Sequence, residues 1–343
     1  MGCCLAFDFH STTARRLPRR RPWDTLRRCC AGRQGHSAPR RRAAPGPASI
    51  RQPLRQGRLR EDRDTPGRGG PIVCRVIKAL PYRLIATDLD GTLLRTGDLV
   101  SARTRAALAA AGRAGARHIV VTGRPVAQVR ELLTDLGYEG LVVCGQGAQV
   151  YDTGTERMVA AATLELEVAE TALGKIEAET GLLFAAVNQA GSCGETLMEP
   201  GYEAPHPGLP ALRVERREEL WAEPIMKVLV RHPAFGDDEL VALARAVAGD
   251  LVDVTMAGPG TVELQPRGVN KATGLAAAAE HMEIAPEAAI AFGDMPNDVP
   301  MFLWSGHSVA MANAHPELKA VADEITVSNE EDGVAEVLER VYG

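Results

Sequence analysis

The sequence predicts an α/β fold, a parallel sheet with covering helices into which a second, α+β domain is inserted. Three observations predict it. From Tyr82 onward, short apolar runs alternate with amphipathic segments, the pattern of repeated βα units. Acidic motifs follow two of these runs directly: Asp88-Leu89-Asp90-Gly91 after Leu84-Ile85-Ala86, and Gly293-Asp294 after Ala289-Ile290-Ala291-Phe292. That is the carboxyl edge, where open sheets of this class bind ligands. Between about residues 163 and 259 the alternation lapses into a mixed block that fits an insertion. The expected division is an extension over 1–80, a core over 81–162, an inserted second domain over 163–259, and the returning core over 260–343.

The first eighty residues differ in kind from the rest. Of 39 Lys+Arg and 44 Asp+Glu they hold nineteen and five, leaving 20 against 39 for the remainder. Pro and Gly are scattered through the segment and no apolar periodicity persists, so it is expected to be a disordered Arg/Pro-rich extension. Arg19-Arg20-Arg21 and Arg40-Arg41-Arg42 raise a nucleic-acid arm, but almost no aromatic residues interleave them and polybasic tracts bind any anion, so no nucleic-acid partner is expected. A transit peptide shares the composition. A secretory signal lacks its apolar stretch, and the myristoylation pattern fails at Ala6. A start codon other than Met1, near Val76 or Leu80, is the remaining reading, because the next methionine is Met158. No apolar run approaches eighteen residues, which excludes a membrane-spanning helix. Cys144 and Cys193, the two cysteines beyond this segment, are too few for a disulfide framework, and the expected compartment is the reducing cytoplasm.

The elements follow in order. Leu84-Ile85-Ala86 opens as a strand. Ser101 can cap a helix running to about Ala114 with Gly115 as its stop, and 117–122 reads as the second strand. Pro125 at a first helical position and Gly137 bracket the next helix; Leu141 to Cys144 is a third strand. Residues 148–161, broken by Asp152-Thr153-Gly154, predict a hairpin. The inserted block opens with a helix over about 164–179 and a strand at 182–187, followed by a loop-rich piece through Pro210. Strands at 226–230 and 251–256 then flank a helix at 238–248. Residues 261–265 are expected to resume the core alternation, ahead of a helix opened by Asn270 and the strand Ala289 to Phe292. Short units close the chain: 307–311, a helix from Pro316, 324–327, and a last helix over 334–342.

Asp88 and Asp90 stand two residues apart, so an extended backbone would present both on one face. Neighbouring carboxylates repel unless a cation or shared proton intervenes, which makes the pair useful as a hard-metal site or an acid/base couple. An EF-hand is excluded by spacing, since its glycine and glutamate positions hold Leu93 and Leu99. Thr122 ends the second strand, Lys271 opens a helix, and Asp294, Asn297 and Asp298 follow a late strand. Each alone has an ordinary role in a turn, a solvated helix end or a cap. Together they supply a nucleophile, a hydroxyl donor, a fixed cation and a metal carboxylate, the inventory of phosphoryl transfer.

In this order, Asp88-Leu89-Asp90-Gly91-Thr92, Val120-Val121-Thr122-Gly123-Arg124, Gly268-Val269-Asn270-Lys271 and Gly293-Asp294-Met295-Pro296-Asn297-Asp298 resemble the haloacid dehalogenase-like superfamily, specifically its Cof-type branch of small-molecule phosphatases. Residues 310–314 and 328–335 resemble that branch as well. The resemblance implies a Rossmann-like core with an inserted cap. It also implies a two-step reaction in which Asp88 attacks phosphorus and Asp90 is acid and then base. Mg²⁺ would lie on the Asp88 and Asp294 carboxylates and the Asp90 carbonyl. Thr122, Lys271 and the Leu89 and Gly123 amides would bind phosphoryl oxygens. Asn297 and Asp298 would support the metal, and Arg124 would reach phosphate or substrate or form an ion pair. The implied partner is a small phosphate ester. One departure is visible: Gln146, in Gly145-Gln146-Gly147-Ala148, stands where the family commonly has Asn. A sugar-phosphate mutase would need a second phosphate-binding cluster, for which Arg213, Arg216 and Arg217 are candidates. A non-catalytic sensor of phosphorylated metabolites is the third reading.

Overall fold

The computed structural model describes residues 82–191, 193–204 and 211–343; the expectations for the first eighty lie outside the described residues. The chain runs β1 (Leu84–Thr87), α1 (Ala102–Ala114), β2 (Arg117–Val121), α2 (Val126–Asp135), β3 (Leu141–Cys144), β4 (Gln149–Asp152) and β5 (Arg157–Ala161). It continues through α3 (Leu166–Thr180), β6 (Phe184–Gln189), β7 (Thr196–Met198), β8 (Leu212–Arg213), β9 (Ile225–Arg231), α4 (Asp237–Ala248), β10 (Val252–Gly258) and β11 (Thr261–Pro266). It ends with α5 (Lys271–His281), β12 (Ala289–Gly293), α6 (Val299–Trp304), β13 (His307–Ala310), α7 (Pro316–Lys319), β14 (Glu324–Ile325) and α8 (Gly333–Tyr342).

The core sheet has the order β14-β13-β12-β1-β2-β3-β4-β5. Every pairing from β14 to β3 is parallel, and the hairpin β4–β5 extends the far edge antiparallel. Along β2, Ile119 and Val121 join one buried cluster with α1, α5 and α8, while Val120 joins another with α2. Both faces are therefore covered, as near-continuous apolar strands require. Helix termini follow their sequence signals: the Ser101 side chain accepts from the Thr104 amide and Gly115 closes α1 in the left-handed region. Pro125 is the cap of α2 and not its first helical residue.

The second sheet has the order β10-β11-β9-β6-β7-β8 and carries α3 and α4 on one face. One expectation is corrected here. Residues 261–265 do not begin the returning core; β11 pairs antiparallel with both β10 and β9 inside the second sheet, so the insertion runs on through Pro266. The cause is the tight turn at Gly260, in the left-handed region, which folds β11 back on β10 before the chain re-enters the core. The short strand β7 lies in the stretch expected to be loop and β8 just beyond it; β7 pairs antiparallel with β6, and β8 pairs parallel with β7 at the sheet's edge.

Candidate active site

β1 ends at Thr87, so Asp88 leaves the sheet at its carboxyl edge beside β12, whose Phe292 carbonyl accepts from the Asp88 amide. Gly293 ends β12, and Asp294 follows at the same edge. Asp88, Asp294 and Asp298 are all buried, and one carboxylate oxygen from each lies within 4.8 Å of the others. Lys271, only 1% exposed, reaches in from the first turn of α5, with Nζ 2.5 Å from Asp88 Oδ1 and 2.6 Å from Asp298 Oδ1. Lys271 thus arrives from a helix that follows the second sheet, not from a strand end of the core. The capping box of Asn270 with Thr273 fixes where that helix begins, and hence where the ammonium sits.

The electrostatics of this cluster are unfavourable for three ionised carboxylates. Burial pushes the Asp88 carboxyl up, Lys271 pulls it back, and Asp298 and Asp90 push it up again. Asp294 is held well above the ordinary carboxylate range, by burial first and then by Asp88 and Asp298. Burial works against the Lys271 ammonium, but Asp298 and Asp88 outweigh it and hold the proton firmly. Asp298 is already committed: Oδ1 takes Lys271 and Oδ2 accepts from the Asp294 and Met295 amides. The Asp294 carboxylate accepts one bond, from Thr92 Oγ1 at 3.0 Å. Asp88 and Asp294 therefore share a net negative site that a hard divalent cation would relieve, and oxygen donors of this kind fit one. Gly91 permits it, because any Cβ at that residue, with φ at +74°, would run into the Asp294 carboxylate.

Asp90 is not part of the buried cluster. The chain turns after Asp88, and the extended geometry that would align the two side chains is not kept. Asp90 is half exposed and is gripped by the Arg124 guanidinium, with Nε donating to Oδ2 at 2.9 Å and Nη2 to Oδ1; Nη2 also donates to Asp98 at 2.9 Å. Thr122 is fully buried at the end of β2, and its Oγ1 accepts from the Arg124 amide at 3.1 Å. Leu89 is buried behind Asp88, and Gly123 lines the same cavity as Asp88 and Asp90. Asn297 donates to Gln146 Oε1 at 3.0 Å, which leaves Asn297 Oδ1 and Gln146 Nε2 buried without partners. A Cβ on Gly123 would press on the Gln146 amide nitrogen at 2.5 Å.

Lys227 was not among the sequence-predicted residues. It stands on β9, is 2% exposed, pairs with Glu263 and donates to the Gly123 carbonyl at 2.8 Å, tying the cap sheet to the loop after β2. Its signal in the sequence is one charge in the apolar strand Ile225 to Val230, which calls for a partner.

A parallel core, an inserted cap, and a lysine-bridged carboxylate cluster at the carboxyl edge define a hydrolase built for phosphoryl chemistry. Residues 85–338 match the model of the haloacid dehalogenase-like hydrolases, and the chain belongs to that family, in its Cof-type branch. It is similar to the 5-amino-6-(5-phospho-D-ribitylamino)uracil phosphatase of Bacillus subtilis, at 27% identity over 272 residues, covering 75% of this chain and 94% of that one. The HMP-PP phosphatase of Serratia proteamaculans is 28% identical over 276 residues, covering 75% and 94%. Among solved structures, a haloacid dehalogenase-like hydrolase from B. subtilis superposes with a TM-score of 0.65 at 25% identity, covering 75% of this chain and 99% of the other. The chain is a phosphoric monoester hydrolase of this family.

Proposed function

We propose that this phosphatase hydrolyses a small phosphorylated metabolite with Mg²⁺, through a phosphoryl group carried on Asp88, in the cytoplasm. The observation that carries the reading is the trio of buried carboxylates Asp88, Asp294 and Asp298, two of which, Asp88 and Asp298, are bridged by buried Lys271. Asp88 Oδ forms the new bond to phosphorus as the ester P–O bond breaks, and the leaving oxygen takes a proton from Asp90. Asp90 then removes a proton from water, the water oxygen bonds to phosphorus, the Asp88–phosphorus bond breaks, and inorganic phosphate leaves. Asp90 reaches the leaving group by exchanging its grip on Arg124 for the substrate. Lys271, the Thr122 hydroxyl and the Leu89 and Gly123 amides stabilise the phosphoryl oxygens. The Asp88 and Asp294 carboxylates and the Asp90 carbonyl would hold Mg²⁺, with Asn297 and Asp298 around it. Bound there, Mg²⁺ supplies charge neutralisation between the attacking carboxylate and the phosphoryl group.

The mutase reading loses its support. Arg217 is occupied by Glu199 and Glu177, Arg216 pairs with Glu219, and Arg213 donates to the Tyr202 carbonyl. None of the three lines the cavity at Asp88 among the described residues. The names of the relatives point to phosphorylated small molecules as the substrate class. The test is to quench the protein during Mg²⁺-dependent turnover of a small phosphate ester and measure its intact mass. One added phosphoryl group, mapped to Asp88, is expected. Steady release of inorganic phosphate with no such adduct, and with Asp88→Asn still active, would sink the reading. A sensor would bind the ester and release no phosphate.

A further inference from the structure

The face of the second sheet that looks into the cavity is built in rows. Register places Thr196, Asn188 and Lys227 side by side across β7, β6 and β9, and two residues further along it places Met198, Ala186, Leu229 and Glu263 across β7, β6, β9 and β11. The first row is polar and touches the core: Gln128 of α2 donates to Thr196 Oγ1 at 2.9 Å, Asn188 donates to the same oxygen at 2.7 Å, and Lys227 reaches the Gly123 carbonyl. An ammonium has three donors, and the Gly123 carbonyl and Glu263 use two of the three on Lys227. In the second row Ala186 and Met198 cluster with Tyr202, and Leu229 packs against them, which makes an apolar wall farther from Gly123. All of these residues line one cavity with Asp88 and Asp90, about 810 Å³ in volume, toward the upper end of the range for small-ligand clefts of about 300–1,000 Å³.

The cations of that cavity are all engaged. Arg95 is bound to Asp332 at 2.6 Å, Arg124 to Asp90 and Asp98, and Lys227 to Glu263; when Asp90 turns to the leaving group, Asp98 still holds Arg124. Among the described lining residues this leaves no unpaired positive charge beyond the phosphoryl site, and the carboxylates Asp98 and Glu263 line the same cavity. Bringing a second phosphate here would desolvate it against acidic neighbours with nothing to compensate.

We infer that this face is the leaving-group subsite, and that it takes a monophosphate whose leaving group is uncharged, hydroxylated next to the phosphate, and apolar or aromatic at its far end. The inference rests on the phosphatase reading and adds the substrate class. Thr196, Asn188 and the third Lys227 N–H meet the hydroxyls, while Met198, Leu229 and Tyr202 cover the ring.

Matched pairs test it with the full chain and Mg²⁺. Uridine 5′-monophosphate against ribose 5-phosphate, and riboflavin 5′-phosphate against ribitol 5-phosphate, isolate the ring. Fructose 6-phosphate against fructose 1,6-bisphosphate isolates the second charge. In at least one ring pair the ring-bearing ester is expected to have kcat/KM about tenfold or more higher, the scale of burying one ring face, and the monophosphate is expected to exceed the bisphosphate. Any other pattern overturns the inference. Leu229→Lys, which adds an unpaired cation to the wall, should shift the ratio toward the bisphosphate and reduce the ring preference; an unmoved ratio removes Leu229 from the subsite. Acetyl phosphate has a small, activated leaving group, acetate, that makes no demand on this face, so absence of its Mg²⁺-dependent hydrolysis would overturn the phosphatase reading itself. Equilibrium binding of the same pairs to Asp88→Asn protein would still rank the subsite, and there too the ring-bearing monophosphates are expected to bind more tightly.

Discussion

At the scale of single residues, the site trades stability for chemistry. Burial and the charges of Asp298 and Asp90 oppose ionisation of Asp88, and burial, Asp88 and Asp298 oppose that of Asp294. Asp88→Asn removes one charge from that crowd while Lys271 keeps Asp298, so without Mg²⁺ the variant should be as stable as the parent or up to about 1 kcal/mol more so. Turnover should fall by more than about a hundredfold, the scale of lesser catalytic roles. Denaturant unfolding in chelator beside phosphate release checks both; a marked loss of stability would show that the charge crowding is not felt. Lys271→Met acts in the opposite sense. It strands Asp88 and Asp298 in the interior, and breaking a buried pair this way costs about 3–5 kcal/mol. The midpoint of unfolding should drop steeply and Mg²⁺ should recover part of it, which a merely solvated lysine would not produce. At this scale the sequence was informative about which residues meet and silent about how. Asp88, Lys271, Asp294 and Asp298 converge as their types suggest. Asp90 departs from the i, i+2 expectation because the backbone has already left the strand, and a turn is set by Gly91 and by distant contacts that no local pattern reports.

At the scale of elements, the parallel strands were legible because apolar runs of four or five residues bounded by glycines and carboxylates have few other uses. β7 and β8 were not legible, since strands of two or three residues hold their shape only by pairing with an edge already in place. β11 was legible as a strand and not as a member of its sheet, because its alternation is the same whichever sheet receives it. Lys227 and Glu263 escaped for the same reason, as charges in apolar strands whose partner lies across the pairing. One element carries a pH dependence. On β2, His118 is packed against Tyr138 and bonded to Thr87 Oγ1 at 2.9 Å, and burial lowers its pKa to about 4. Between that value and the ordinary value of about 6.5, the unfolded chain binds a proton that the folded chain refuses. Stability should therefore fall as pH falls through this window, by on the order of 2 kcal/mol for this one group. His118→Phe should remove that share of the slope, read from denaturant unfolding at about pH 7 and about pH 4.5. An identical slope in both proteins would mean the imidazole is charged in the fold.

At the scale of the whole molecule, the insertion sits over the carboxyl edge, and Lys227 and Thr196, members of one row of its sheet, fasten it to the Gly123 carbonyl and to Gln128 of the core. A ligand must fit in the cavity beside these attachments, and the core and cap together carry 20 Lys+Arg against 39 Asp+Glu, which disfavours polyanions. Small phosphate esters should therefore be hydrolysed with higher kcat/KM than a phosphopeptide or a nucleic-acid terminal phosphate. A competition with all three in one reaction decides it, and preference for either macromolecule would show that the attachments open wider than the structure indicates. Strand alternation in the cap sheet has a consequence for how such an enzyme can change. In β6, Ala185 and Val187 hold the cap's own core, while Ala186 and Asn188 face the cavity. In β9, Val228 and Val230 do the first task and Lys227 and Leu229 the second. Folding and recognition are thus written on alternate letters of the same strands. A lineage can rewrite one set while leaving the other untouched, and a library confined to the uncharged cavity-facing letters, which spares the buried Lys227–Glu263 pair, should yield new selectivities with few unfolded members.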